Sequence, residues 1–349
     1  LYENKQITDK AVFDQLFERI DNVASIEELL ILSADIFTET GVVPVYGFNV
    51  DTDSYNPTQR CLSLTGASAC AGSLEDIHKK EYHVSDFRDN LTGTIQGLGY
   101  DHDEAEDKAT EITYLWLEIA NNTDFDSMKN MEMDKVLNPY TYEELGQFIP
   151  VSDIKGLLEH YGLDRKAIDS QEKVYVNDPV QAKVINDLLT EENLEAWKLY
   201  TKCQILTKYA SLRPQEYSFG DVNFDLLDKD MIYQDIKDTF YGDLGYIYKE
   251  KYYTEELDNY MNKMAADIKA AYIPMIKNAD WLSDEARNSF IDKFNNIEFY
   301  LGGEDASHKK TKNFVGKTIL ESKMKGESND IKQLCNVLET PVDKSVWAM

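Results

Sequence analysis

Residues 255–274, EELDNYMNKMAADIKAAYIP, carry the clearest periodicity in the chain. Five apolar residues in this stretch are spaced by four, three, four and four positions: Leu257, Met261, Met264, Ile268 and Tyr272. This spacing places them on one face of an α-helix. Pro274 has no backbone N–H group, so it predicts a kink or the end of that helix. The stretch therefore predicts an amphipathic helix and points to a mainly helical chain.

A second helix is predicted directly after the first. Ser283 is its candidate N-cap residue, because a serine side chain can accept a hydrogen bond from the first helical N–H groups. The apolar stripe of this helix consists of Ala286, Phe290, Phe294, Ile297 and Leu301. Gly302-Gly303 then predicts the end of the helix.

Capping patterns mark four further helix starts. They are Ser25 with Glu28, Thr141 with Glu144, Asp178 with Pro179, and Thr190 with the two glutamates that follow it. The first two pairs form capping boxes, and a proline directly after an N-cap residue is typical of a first helical turn. Gly41 predicts the end of the helix that begins at Ser25, and Pro214 halts the one that begins at Thr190.

Strand signals are few. Residues 43–50 and 61–64 are extended candidates that could pair across the polar turn 51–58, and residues 173–176 are a second short candidate. A large sheet is not supported. Residues 304–330 are rich in Lys, Ser and Gly and are predicted to be exposed and mobile. We therefore expect a mainly α, multi-helical fold with one or two short β-hairpins.

The charge balance excludes some partners. The 349 residues contain 36 Lys and Arg against 64 Asp and Glu, a formal net charge of −28. Nucleic acid and anionic membrane surfaces would be repelled, so neither is expected as a partner. The charge favours cationic ligands such as basic peptides, although solubility alone is the simpler explanation. No apolar run has the length of roughly 20 residues that crosses a bilayer.

Four cysteines, Cys61, Cys70, Cys203 and Cys335, form no C-x-x-C pattern. Cys61 and Cys70 could close a small disulfide loop if the protein is exported. Four buried thiols explain the same residues equally well, and the sequence leaves both possibilities open.

No catalytic or metal-binding set is encoded in the sequence. Zinc peptidases of the common type carry H-E-x-x-H on one helix, and this motif is absent. Only His78 and His83 among the five histidines are near each other, and five positions place them on different faces of a helix. Asp51-Thr52-Asp53 and Asp101-His102-Asp103 imitate the start of an EF-hand loop, but neither is followed by the Gly and Glu that the loop requires.

A tyrosine-rich stretch is the one candidate binding surface. Its candidate residues are Tyr246, Tyr248, Tyr252 and Tyr253, with Tyr241 and Tyr260 nearby. Tyrosines with one apolar face and a polar tip can stack on sugars or peptides. Packing within a helical protein is the simpler explanation of the same residues.

Several stretches resemble segments of the neprilysin and endothelin-converting-enzyme family of zinc metallopeptidases. Leu244-Gly245 with Tyr248, then Tyr252 or Tyr253, Met261, Met264 and Ile268, is similar to the family's LG-x-x-Y…F…M…I signature. Asp280-Trp281-Leu282, followed by Ala286, Lys293, Ile297 and Gly302, looks like its D-W…A…K…G segment.

Segments nearer the two ends support the same resemblance. Residues 41–45 and 50–56 look like the family's G-x-x-P-L and V-x-x-D-x-x-N stretch, and residues 97–120 resemble a family helix, with Trp116 where the family usually shows Glu. Residues 345–349 are similar to those directly before V-N-A-[YF]-Y, which places Trp347 at the edge of a substrate-binding motif. Neither Leu1 nor Met349 looks like a natural terminus, which is typical of a fragment or a processed form.

The resemblance implies a division of labour within a longer parent protein. Residues 1–271 would form the helical, lid-like domain, and residues 272–349 would form helices and a mobile segment that lead back toward the catalytic domain. That domain would hold the zinc and the catalytic residues, so no catalytic or metal residue is expected in this chain. The implied function is to enclose the peptide-binding cavity and restrict substrate size, in a protein located outside the cytoplasm or at the cell surface.

Two rival functions remain open. A free-standing helical module could bind peptides or glycans through the tyrosine-rich surface. An enzyme of another class could use a pair of carboxylates that no motif marks.

Overall fold

The computed structural model describes residues 6–67, 75–76, 79, 83–130, 132, 138–219, 232–234, 236–237, 241–303 and 315–343. Helices dominate these residues, which confirms the mainly α class. The α-helices are α1 Lys10–Asp21, α2 Ile26–Thr40, α3 Val84–Gly97, α4 His102–Asn121, α5 Phe125–Lys129, α6 Ile154–His160, α7 Arg165–Ser170, α8 Pro179–Leu188, α9 Leu194–Lys208, α10 Tyr241–Tyr252, α11 Glu255–Lys277, α12 Asp284–Asn295 and α13 Ile319–Asn336. Short 3-10 turns lie at Glu144–Gln147, Glu191–Asn193, Ala210–Leu212 and Gln215–Tyr217.

The predicted caps are present. Ser25 Oγ accepts a hydrogen bond from Glu28 N at 3.2 Å, and Gly41 ends α2 in the left-handed conformation with φ 65°. Asp178 Oδ1 accepts from Gln181 N at 2.9 Å, with Pro179 as the first residue of α8. The Thr141–Glu144 box also forms, but it starts a 3-10 turn and not an α-helix.

A small sheet of four strands accompanies the helices. Strands β1 Tyr46–Thr52, β2 Arg60–Gly66, β3 Asn138–Tyr140 and β4 Val174–Val176 lie in the order β1-β2-β4-β3. The predicted hairpin β1–β2 is antiparallel, β2 and β4 are parallel, and β3 is antiparallel to β4. β3 was not predicted, because three residues that include Pro139 carry no strand pattern of their own.

The chain divides into two compact units. The first comprises Leu1–Leu226 with Lys312–Val342, and the second comprises Leu227–Thr311 with Asp343–Met349. The predicted boundary between residues 271 and 272 stays a prediction. No described helix is both long and apolar enough to cross a membrane.

Buried aromatic residues fix the core of the first unit. Trp116 of α4 packs edge-on against Tyr200 of α9 with ring centroids 4.9 Å apart, and Trp197 lies 5.6 Å from the same ring. The Tyr46 hydroxyl donates to the backbone oxygens of Phe148 at 2.8 Å and Ala182 at 3.1 Å. These bonds connect the sheet to the surrounding helices and satisfy a hydroxyl that burial removes from water.

Three sequence-based expectations are corrected. Of the two outcomes that Pro274 predicted, the end of the helix is wrong, because α11 continues to Lys277, and the kink stays a prediction. Gly302-Gly303 does not end α12, because that helix stops at Asn295 and residues 296–303 are not helical. Within the predicted mobile segment 304–330, residues 319–330 form most of α13, and Leu320 is fully buried. Residues 304–314 lie outside the described part.

Candidate functional site

The second unit carries the candidate aromatic surface on α10. Tyr248 and Tyr252 lie one helical turn apart, and their ring centroids are 4.8 Å apart at an angle of 42°. Both are exposed, by 66% and 52% of their surface. The pair therefore exposes two adjacent rings to solvent, and Lys251 Nζ lies over the Tyr252 ring, 5.2 Å from its centroid.

The other two candidate tyrosines lie differently. Tyr246 is half-buried, and its hydroxyl donates to Glu250 Oε1 at 2.7 Å. Its position two residues before Tyr248 places it on another side of the helix. Tyr253 is also half-buried, and its ring packs against Gly302, where no room remains for a side chain. The structure thus brings Tyr248 and Tyr252 together, whereas Tyr246 and Tyr253 have local contacts of their own.

A second feature of this unit is the exposed apolar face of α11 and α12. The predicted stripe is helical, yet Met264, Ile268 and Tyr272 are 39%, 49% and 47% exposed. Further exposed apolar side chains are Leu257, Met275, Trp281, Phe290 and Ile297. Only Ala265 is buried on α11, and α12 buries none of its residues. Monomeric proteins rarely expose so many apolar side chains on and beside one helical pair, so this region indicates an interaction surface.

Few contacts hold this helical pair together. Tyr272 stacks on Phe294, and Lys269 Nζ donates to the backbone oxygen of Asn295 at 2.8 Å. Within α12, Arg287 Nη2 donates to the backbone oxygens of Ala279 and Leu282, both at 2.9 Å, which lie between α11 and α12. The predicted N-cap is confirmed, because Ser283 Oγ accepts from Ala286 N at 3.2 Å.

The histidines do not form a metal site in the described part. His83 precedes α3 and His102 begins α4, whereas His160 ends α6 with Nδ1 2.9 Å from Asp35 Oδ1. His78 and His308 lie outside the described residues. No three His, Cys, Asp or Glu side chains within that part come together as a metal ion requires. The side chains that the structure describes do not fit a zinc centre, and we assign no step of hydrolysis to them.

The EF-hand-like acids have structural roles. Asp53 Oδ1 accepts hydrogen bonds from the backbone N–H groups of Tyr55 at 2.8 Å and Asn56 at 3.3 Å, which closes the turn after β1. Asp101 caps α4 by accepting from Glu104 N at 2.9 Å. Both agree with the interpretation of these segments as a polar turn and an acidic helix start.

The described cysteines are free and buried. Burial raises the pKa of Cys61 to about 11, that of Cys203 to about 12 and that of Cys335 to about 11. These thiols are protonated near neutral pH, so none is an activated nucleophile. Cys70, the second half of the suggested disulfide, lies outside the described residues, as does Trp347.

Comparison with known proteins identifies the family. The model of the N-terminal region of peptidase family M13 matches residues 3–303. No curated protein matches the chain in sequence. The fold is similar to that of Mycobacterium tuberculosis zinc metalloprotease Zmp1 in complex with an inhibitor, with a TM-score of 0.80 and 17% identity over 100% of this chain and 54% of that one.

Two further solved structures share the fold. PepO from Lactobacillus rhamnosis HN001 has a TM-score of 0.70 at 15% identity over 99% of this chain and 56% of its own length. The Haemonchus galactose-containing glycoprotein complex has a TM-score of 0.62 at 14% identity, with 97% of this chain and 49% of that chain covered. The chain thus spans about half the length of the structures it matches. The family match over residues 3–303 confirms the resemblance drawn from the sequence, and the chain belongs to peptidase family M13.

Proposed function

We propose that this chain is the non-catalytic N-terminal region of a neprilysin-like zinc metalloendopeptidase. The match of the M13 N-terminal model to residues 3–303, in a sequence without H-E-x-x-H, carries the proposal. The chain encloses the peptide-binding cavity of its parent and restricts the size of the substrates that enter. A closed cavity of this kind acts by excluding water and large substrates.

The exposed apolar face of α11 and α12 supports a partner within the same parent protein. Met264, Ile268 and Tyr272 remain 39%, 49% and 47% exposed, so the described residues of the second unit leave them partly uncovered. The catalytic domain, which contains the zinc and the hydrolytic residues, is the partner that we assign to this face. Peptides are the substrates of the parent, and the parent acts outside the cytoplasm or at the cell surface.

The chemistry is tested with two proteins. The 349-residue chain alone should not cleave peptides when zinc is added, whereas the parent protein should cleave them and lose activity with a chelator. Zinc-dependent cleavage by the chain alone would show that the active site lies within it. A parent reading frame without H-E-x-x-H after Met349 would equally contradict the proposal.

The lid role needs a separate measurement. The parent should cleave short peptides and leave a longer, unstructured polypeptide with the same scissile sequence intact. Cutting of the two substrates at equal rates would mean that the cavity does not select by size, even if zinc-dependent hydrolysis is found.

The alternative is a free-standing module that binds peptides or glycans. The exposed pair Tyr248 and Tyr252 favours it. Under this alternative the isolated chain binds an oligosaccharide or peptide, and the double substitution Tyr248→Ala with Tyr252→Ala abolishes binding. Replacement of Tyr114, which is 67% exposed on α4, is the matched control.

A further inference from the structure

The first unit contains a polar groove of about 890 Å³. Three segments line it: the turn between β1 and β2, the residues from the end of α7 into β4, and the residues that follow α13. The backbone N–H of Val342 donates to the Thr58 oxygen at 3.3 Å, which joins the third segment to the first. The groove has the size of a small-molecule site, and its polar lining suits a polar ligand.

The side chain of Arg60, the first residue of β2, lines this groove, and its guanidinium group has no hydrogen-bond or ion-pair partner among the described residues. Its Nε–H is buried without an acceptor, and no other nitrogen of the side chain has a partner within the described part of the chain. Arg88 and Arg287 also bury an unpaired Nε–H, but their terminal nitrogens contact Glu106 at 3.5 Å and the Leu282 oxygen at 2.9 Å. A buried donor without a partner is rare in folded proteins, and Arg60 differs from the other two arginines because its terminal nitrogens are also unpaired within the described residues.

Lys173 adds a second positive charge to the same groove. Within the residues that the structure describes, its ammonium group forms no ion pair. Of the groove's three carboxylates, Glu339 lies 3.7 Å from Lys166 Nζ, whereas Asp53 accepts from the neutral Tyr175 hydroxyl at 3.4 Å and keeps its charge. The third, Glu172, is exposed. Within the described residues the groove therefore offers two cations that form no ion pair, beside three carboxylates, and Lys173 is also near enough to Glu144 to interact with its charge.

We propose that this groove binds the anionic group of a polar ligand, a carboxylate or a phosphate. The planar guanidinium of Arg60 can form two parallel hydrogen bonds with either group, and Lys173 supplies a second charge. With a net charge of −28, most of the protein surface repels anions, so binding depends on these local cations. Cys61 takes no covalent part, because its buried thiol stays protonated at neutral pH.

Calorimetric titration of the 349-residue chain tests the proposal with three probes. These are N-acetyl-trialanine as the free acid, the same peptide as its C-terminal amide, and inorganic phosphate. The acid or phosphate should bind, and the amide should bind about tenfold more weakly than the acid because it lacks the charge. Binding of the acid would indicate a peptide carboxylate as the source of the anion, and binding of phosphate alone would indicate a phosphorylated ligand.

Matched variants identify the residue responsible. Arg60→Gln should weaken binding by about tenfold or more, and Arg60→Lys should restore only part of it, since lysine keeps the charge but not the two-pronged geometry. Arg165→Gln removes the same charge from the exposed surface of α7, outside the groove, and should leave binding unchanged. The thermal unfolding of Arg60→Gln should match that of the unchanged chain, because the Arg60 side chain makes no hydrogen bond or ion pair with any residue that the structure describes.

Two outcomes would overturn the proposal. One is that neither the acid nor phosphate binds at concentrations up to about 10 mM. The other is that Arg60→Gln and Arg165→Gln weaken binding equally, which would mean that anion binding depends on the net charge of the chain and not on Arg60.

Discussion

Tyr272 of α11 stacks on Phe294 of α12 with ring centroids 5.4 Å apart and planes inclined by only 17°. This contact joins two helices that bury little else, since Ala265 alone is buried on α11 and no residue is buried on α12. An aromatic pair thus joins two amphipathic helices on which many apolar side chains are exposed.

Phe294→Ala should loosen this helical pair. Loss of the stacked ring and of its buried surface should cost about 1–3 kcal/mol of local stability. Hydrogen exchange in the full chain should show faster exchange across α11 and α12 while α9 keeps its protection. Phe290→Ala on the same helix is the control, because Phe290 is 43% exposed and makes no ring contact within the described residues. Equal effects of the two substitutions would argue against a special role for the stack.

A substitution on the exposed apolar face should leave the folding of the chain unchanged and weaken its docking to the catalytic domain. Ile268→Glu should leave the isolated chain folded, because Ile268 is 49% exposed, and should lower the fluorescence of the apolar dye ANS bound to it. In the parent protein the same change should reduce activity, since it places a charge in the proposed contact with the catalytic domain. Asn259→Glu adds the same charge to an exposed position of α11 and serves as the control. Unchanged parent activity in Ile268→Glu would remove this face from the proposed contact.

Local signals in the sequence predicted much of the fold. The caps at Ser25 and Asp178 and the hairpin β1–β2 depend on neighbouring residues, and all three form. The helix α13 depends instead on distant contacts. The backbone N–H groups of Ile319 and Leu320 donate to the oxygens of Gln6 and Ile7, each at 3.0 Å, and no local pattern contains that pairing. A composition rich in Lys, Ser and Gly therefore suggested a mobile segment where a helix is held in place.

The extent of α11 and α12 shows the limit of periodicity. The apolar spacing continues through Ile297 and Leu301, but α12 ends at Asn295. The next residue, Asn296, is a poor helix former, and its side chain donates to the backbone oxygen of Asp292 at 2.8 Å. The groove could not be predicted at all, because Arg60 begins β2 and Lys173 directly precedes β4, and only the folded sheet brings these two strands together.

Gly41→Ala should destabilise the first unit. Gly41 has φ 65°, and an added Cβ would lie 2.7 Å from Lys208 Nζ. This ammonium group donates to the Gly41 oxygen and forms an ion pair with Glu327 at 3.2 Å. The left-handed backbone alone should cost about 1–2 kcal/mol for alanine, measured as a lower denaturant midpoint. Gly93→Ala is the control with the opposite sign. It lies within α3 with no atom near its added Cβ, so it should stabilise by about 0.5–1 kcal/mol. A loss of stability in both variants would contradict this account of Gly41.

Cys203 should make the stability depend on alkaline pH. Burial raises the pKa of its thiol from 9.0 to about 12 in the folded chain. Because its pKa is raised in the folded state, the thiol's contribution to the free energy of unfolding is complete below about pH 9. This contribution is lost as the pH rises toward 12, because the unfolded chain releases the proton first. Between these limits one such thiol lowers the free energy of unfolding by about 1.4 kcal/mol per pH unit.

The variant Cys203→Ala isolates that contribution from the buried tyrosines, which also have raised pKa values. It should be less stable than the unchanged chain at neutral pH, because alanine leaves a cavity at a fully buried position. Its stability should nevertheless fall less steeply above about pH 9, since one titrating group is absent from both states. Urea unfolding at a series of pH values compares the two slopes, and parallel curves would mean that Cys203 titrates alike in the folded and unfolded chains.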